Sequence, residues 1–219
     1  VDYNIHDNLI NKVHIGNGQY GNIASTQIQN NWINTRDTQM IATFTNAVTY
    51  KSPIGIDINH GLYEYDPTGG FYNNIANNHI DLKAKAGIGI NNQNSDRHQQ
   101  ILDNTVYLSN NSADPITASD VYACFGTVNR NAKKTSLKAN YMYGSPSLQG
   151  FNSRNRIGLL MSYSPNNILE CNKVKYSRYG FYAWGDNTTS SGNVKFNKFN
   201  ANAYPWYLLD FGSASPSTF

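Results

Sequence analysis

One short pattern recurs along this chain and restricts how it can fold more than any other feature. In "NILECNKVKYSRYGFYAW" (Asn167 to Trp184), Asn172 stands three residues after Leu169, two before Val174 and four before Tyr176. The same order of apolar, Asn, apolar and apolar returns at Ile75, Asn78, Ile80 and Leu82, and at Ile28, Asn31 and Ile33 with Thr35 in the last place. It returns again at Ile101, Asn104, Val106 and Leu108. Leu137, Asn140 and Met142 follow it until Gly144, and Val194, Asn197 and Phe199 follow it with a shorter tail. Weaker copies stand at Asn11, with Val13 and Ile15, and at Asn46, with Val48 and Tyr50.

Successive anchor asparagines lie 15 to 36 residues apart, and self-similarity at roughly 20–50 residues is the mark of solenoids and related arrays. Within each copy the apolar positions alternate with period two, which predicts strands and not helices. A second strand often follows, as in Gly87-Ile88-Gly89-Ile90 and in Gly180 to Trp184. One such repeat cannot bury its apolar face, but stacked repeats pair strands at about 4.8 Å and enclose a continuous core. The expected fold is therefore all-β, a parallel β-helix over residues 1–200. Residues 201–219, in which "YPWYLLDFGSASPSTF" leaves the pattern, are expected to be a C-terminal cap or tail. Each anchor Asn is expected to turn the chain, because Asn tolerates left-handed backbone angles, and to bond amide to amide with the Asn of the next repeat. Val174 and Tyr176 then point inward. An all-β sandwich is the competing reading, although sandwich strands carry no fixed offset between Asn and apolar positions.

Composition agrees. The 219 residues suffice for one domain with a sizeable core. Only 14% are charged against 39% apolar, which argues against long salt-bridged helices. The 33 asparagines and 16 tyrosines favour turns and strands. Net charge is +3 with Lys and Arg dispersed, so there is no nucleic-acid footprint. No apolar run approaches the roughly 18–20 residues of a helical membrane span, and no signal-peptide pattern opens the chain. The chain starts at Val1 in mid-pattern, as a piece of a longer protein would. Cys124 and Cys171 stand in apolar sequence, where a disulfide between them is one reading and small buried thiols are the expected one. No Cys/His cluster points to structural zinc, and neither a metal nor a cofactor is expected.

If the residues two and four after each Asn are buried, those one and three after it face solvent. The first of these columns reads Lys12, Trp32, Ala47, His79, Thr105, Tyr141, Lys173 and Lys198. The second reads His14, Asn34, Thr49, Asp81, Tyr107, Tyr143, Lys175 and Asn200. Few aliphatic residues occur in either, as an exposed face requires. Rings at Tyr107, Tyr141 and Tyr143 beside His79, Lys173 and Lys175 suit pyranoses, whose apolar faces stack while their hydroxyls need polar partners. The lysines would favour an anionic sugar. Against this, Tyr and Thr are good strand formers on any exposed face. By the same alternation Tyr182 and Trp184 point outward, as a glycan platform or an intersubunit contact.

Acidic residues are scarce, and "GIDINHGLYEYDPTGG" gathers Asp57, His60, Glu64 and Asp66. Alternation with Ile54, Ile56 and Ile58 sends Asp57 outward. Glycoside hydrolysis needs two carboxyl groups about 5–9.5 Å apart, and Asp57, Glu64, Asp66 and Asp81 form the pool of catalytic candidates. The plainer reading is that Asp66-Pro67 opens a turn and the others are solvated. A lyase would instead need a base and cations, for which His79, His98, Arg97, Lys173 and Lys175 are available. No nucleophile elbow, phosphate loop, HExxH helix or calcium loop is present.

Through "NNHIDLKAKAGIGI", "LDNTVYL" and "CNKVKYSRYGFYAW", the chain resembles the right-handed parallel β-helix proteins of the pectin-lyase type, and among them bacteriophage tailspikes most closely. These elements span most of Gln27 to Asn200. The motif is architectural and carries no catalytic residue. The resemblance implies a homotrimer on the virion tail that binds a bacterial surface polysaccharide, capsule or O-antigen, and cleaves it. Family relatives that only bind glycan, serve as structural fibres or act as uronate lyases remain alternatives.

Overall fold

The computed structural model describes residues 2–13, 15–20, 25–35, 54–59, 73–83, 87–95, 99–109, 124–144, 156–187, 194–202 and 204–209. Among the described residues there are strands and no helix. Strands β1 (Asp2–His6), β2 (Leu9–Val13), β3 (Ile15–Tyr20), β4 (Ser25–Gln29), β5 (Trp32–Thr35) and β6 (Ile54–Asn59) come first. Next are β7 (Asn73–Ala76), β8 (His79–Lys83), β9 (Gly87–Ser95), β10 (Gln99–Leu102), β11 (Thr105–Ser109) and β12 (Cys124–Ala132). After these come β13 (Thr135–Lys138), β14 (Tyr141–Gly144), β15 (Arg156–Ser162), β16 (Ile168–Glu170), β17 (Lys173–Lys175) and β18 (Tyr179–Trp184). Strands β19 (Val194–Lys195), β20 (Lys198–Asn200) and β21 (Tyr204–Leu209) complete the order.

Each strand pairs with the strand three further along the chain, which makes three seven-stranded sheets. The first runs from β1 to β19, the second from β2 to β20 and the third from β3 to β21. Every pairing among the described strands is parallel. The protein is thus all-β with parallel sheets, and an antiparallel sandwich is not what these strands build. The third sheet runs past Asn200, because Tyr204 to Leu209 pair with Tyr179 to Trp184.

The corner between the first and second sheets is held by asparagine side chains. Asn78 donates from its backbone N and its Nδ2 to Asn104 Oδ1, at 3.0 and 2.9 Å. Asn104 repeats this to Asn140 at 3.2 and 3.0 Å, and Asn140 to Asn172 at 3.1 and 3.0 Å. Asn8 and Asn31 precede these rungs and Asn197 follows them. Each Nδ2 of the series also reaches a main-chain carbonyl, as Asn104 does to Ile75 O at 2.8 Å. The bonds cross 23 residues of sequence at one rung and 47 at another, so rung geometry is independent of loop length.

Three details differ from the sequence reading. The first rung is Asn8, whereas Asn11 lies inside β2 opposite Asn34; Asn46 lies outside the described residues. The ladder Asn is not the left-handed residue. Positive φ belongs to the residue before it: Asp7, Asn30, Asn77, Asp103, Ala139, Cys171 and Phe196, all near +55°. The Asn side chain earns its place by bonding, and the exposed neighbour absorbs the turn. Cys171 is accordingly exposed and free, not a buried thiol.

Alternation fills the interior. Ile28, Ile33, Ile75, Ile80, Leu82, Ile101, Val106, Leu108, Leu137, Met142, Leu169 and Val174 are all buried in one cluster with Ile56, Ile90, Leu159 and Phe181 of the third sheet. Tyr176, expected inward, adopts a left-handed angle just after β17 and is only half-buried. The second and third sheets approach closely where the third carries Gly55, Gly89, Gly126, Gly158 and Gly180. A Cβ on Gly55 would fall 2.6 Å from both Ile80 Cγ2 and Gly89 O.

Asn104→Ala leaves buried donors and an acceptor unpaired, and each costs about 1–3 kcal/mol. Chemical denaturation of this variant is expected to show a loss of at least about 3 kcal/mol, against no more than about 1 kcal/mol for Asp103→Gly, which keeps the positive φ. Gly55→Ala is expected to cost about 1–3 kcal/mol by overpacking, because one of the two atoms it meets is backbone.

Candidate carbohydrate-binding face

The outer face of the second sheet carries the candidate site. Inner residues Ile33, Ile80, Val106, Met142 and Val174 are buried, and this anchoring turns their neighbours outward. Strand register then stacks Trp32, His79, Thr105, Tyr141, Lys173 and Lys198 in one column. A second column holds Asn34, Asp81, Tyr107, Tyr143, Lys175 and Asn200. The expected columns are present from Trp32 onward, while Ala47 and Thr49 lie outside the described residues.

The rings make a continuous line. Trp32 stacks on His79 with centroids 3.8 Å apart, and His79 meets Tyr107 at 5.0 Å. Tyr107 meets the edge of Tyr143 at 5.8 Å, and Tyr143 lies 5.6 Å from Tyr141 and 5.1 Å from Tyr176. From β5 to β14 the line crosses three strand gaps, about 14 Å at the usual spacing. Trp32 is 50% exposed although it stacks on His79, an unusual degree for an indole.

Burial pushes the His79 imidazole below its ordinary 6.5, against the opposing pull of Asp81. At neutral pH it is an uncharged ring with one donor and one acceptor. Burial also raises the phenol of Tyr141, helped by Tyr107 and Tyr176. Tyr143 is raised for the same first reason. These hydroxyls stay protonated and can both donate and accept. Flat apolar faces edged by neutral hydrogen-bonding groups can stack on a sugar and satisfy its hydroxyls.

The structure brings together His79, Asp81, Tyr107, Tyr141, Tyr143, Lys173 and Lys175. Tyr182 and Trp184 belong to β18 of the third sheet and not to this face. There Tyr182 stacks on Tyr207 at 4.9 Å and Trp184 lies 5.7 Å from Tyr163. Glu64, Asp66, Arg97 and His98 lie outside the described residues. Asp57 departs from expectation. It alternates with the core residues Ile56 and Ile58, yet it is buried, with Oδ1 accepting from Asn91 Nδ2 at 2.7 Å. Its register neighbours in the same column, Asn91 and Val128, are buried as well. Asp57 and Asp81 sit on different sheets. No group of three or more metal-ligating side chains occurs among the described residues.

Trp32 and Tyr176 were not singled out from sequence. Trp32 was visible as the neighbour of His79 in its column, but Tyr176 occupied a position assigned to the core. Comparison with protein-family models, curated proteins and solved structures found no match.

Because the folded state resists protonating His79, the unfolded chain binds more protons as pH falls through about 6.5, and stability rises with pH in that window. The part of the melting temperature carried by His79 is therefore complete above about pH 6.5 and declines below it. In His79→Gln this slope should flatten, and NMR titration should place the His79 midpoint below 6.5.

Proposed function

We propose that the chain is a right-handed parallel β-helix that binds a bacterial surface polysaccharide along the outer face of its second sheet. Three parallel sheets visited in rotation support the architecture, since a strand followed by a crossover to a parallel strand is right-handed in nearly every known case. The observation that carries the function is the line of rings from Trp32 through His79 and Tyr107 to Tyr143. Buried strands hold these rings rigid, so little side-chain entropy is lost when a sugar stacks on them. The tailspike-like repeat makes a capsule or O-antigen the favoured glycan and a homotrimer on a phage tail the favoured setting.

Binding has more support than cleavage. Depolymerisation by hydrolysis needs two facing carboxyl groups, and Asp57 is buried on another sheet from Asp81. Within the pool of Asp57, Glu64, Asp66 and Asp81, a catalytic pair would draw on Glu64 or Asp66.

Trp32→Ala and Tyr107→Ala are each expected to weaken binding to the recognised polysaccharide by about two- to tenfold with the melting temperature little changed. Calorimetric titration against a panel of capsular and O-antigen polysaccharides measures this. Unaltered affinity in the double variant would remove the ring line from the function. Release of reducing ends by the wild type would reinstate hydrolysis, and a rise in unsaturated-uronate absorbance would indicate a lyase.

A further inference from the structure

The line of rings runs into a cluster of amines. Lys173 and Lys198 are the last two members of the column that starts at Trp32, and Lys175 follows Tyr143 in the adjoining one. Lys173 and Lys198 are exposed and Lys175 is half-buried. Lys173 and Lys198 are paired across neighbouring strands about 4.8 Å apart, and like charges placed directly opposite destabilise a sheet. Among the described residues no carboxylate relieves them. Glu170 is engaged by Lys138 at 3.1 Å and Lys195 at 3.4 Å on the first sheet. Asp81, on the same face, is three strands from Lys175, about 14 Å. Lys173 also holds its Nζ 5.7 Å from the Tyr141 ring centroid, so charge and aromatic surface meet at one point.

Resting on the glycan reading, we infer that the polysaccharide is acidic and that Lys173, Lys175 and Lys198 receive a carboxylate of the sugar while the rings from Trp32 to Tyr143 hold its neutral part. The polarity of the face favours a glycan over a nucleic acid. A nucleic-acid backbone carries charge at every unit and would press phosphate against Asp81. A polysaccharide with intermittent acid groups sets its charge on the lysines and its uncharged rings on the aromatics. The two ends differ, so the face also distinguishes the direction in which the chain lies.

The test uses acidic bacterial capsular polysaccharides, each paired with its carboxyl-reduced form, and single-stranded DNA as competitor. Wild-type protein is expected to prefer the native acidic form at low salt and to lose that preference as salt rises. Lys173→Met with Lys175→Met should weaken binding of the acidic form by about three- to tenfold and leave the carboxyl-reduced form unaffected. Methionine keeps the apolar stem, and thermal melting is expected to show no loss, because like-charge repulsion is removed. Equal binding of native and reduced forms overturns the inference and leaves the ring line intact as a neutral-sugar site. Retention of the acid preference in the lysine variants also overturns it, as does displacement of the glycan by DNA. Failure to bind either form of every polysaccharide would remove the glycan reading itself.

Discussion

The structure depends on one bond repeated: an asparagine amide that takes two hydrogen bonds from the asparagine of the preceding repeat and passes two to the next. Main-chain ladders satisfy the strands, but the chain must leave one sheet and enter another, and at that corner donors and acceptors would be buried without partners. The ladder supplies them. Asn140 joins Asn104 to Asn172 while its own Nδ2 also reaches Ile101 O at 2.7 Å. Glutamine would be a methylene too long and aspartate could not donate. The rung therefore sets register in every repeat while leaving the loops between rungs free to vary in length.

Register has consequences on both sides of the sheet. Inside, Ile33, Ile80, Val106, Met142 and Val174 are stacked in line, and the last four meet Gly55, Gly89, Gly126 and Gly158 of the third sheet, which have no side chain to hold them off. Outside, the same alignment stacks whatever residue types the sequence provides. Rings fall next to rings and amines next to amines, so a column becomes a surface with aromatic and cationic sections. A face of this kind costs the fold little where rings meet. It costs more where Lys173 stands opposite Lys198, because like charges directly opposite destabilise a sheet.

Much of this was readable in the chain because its cause is local. The two-residue alternation after Asn78, Asn104 and Asn140, and over the first three positions after Asn172, assigned inward and outward positions correctly, and with them His79, Tyr107, Tyr141 and Tyr143. Alternation failed where another effect overrode it. Tyr176 has the spacing of a core residue, but β17 ends one position earlier and a left-handed angle throws the ring onto the outer face, beside Tyr143. Asn11 matches the motif as text, yet Asn8 is the residue whose amide meets Asn31.

The sequence alone determined which segments are strands and which side of each is apolar, because both follow from periodicity within a few residues. Only the tertiary structure decided which strands are neighbours, since pairing across 23 or 47 residues depends on where the loops let the chain return. It also decided the environment of each outward residue. Asp57 and Asp81 carry the same local signature of a polar residue between two apolar ones. One is buried against Asn91 and the other stands on a half-exposed aromatic face, because burial of an outer surface is set by what packs over the sheet and not by the strand itself.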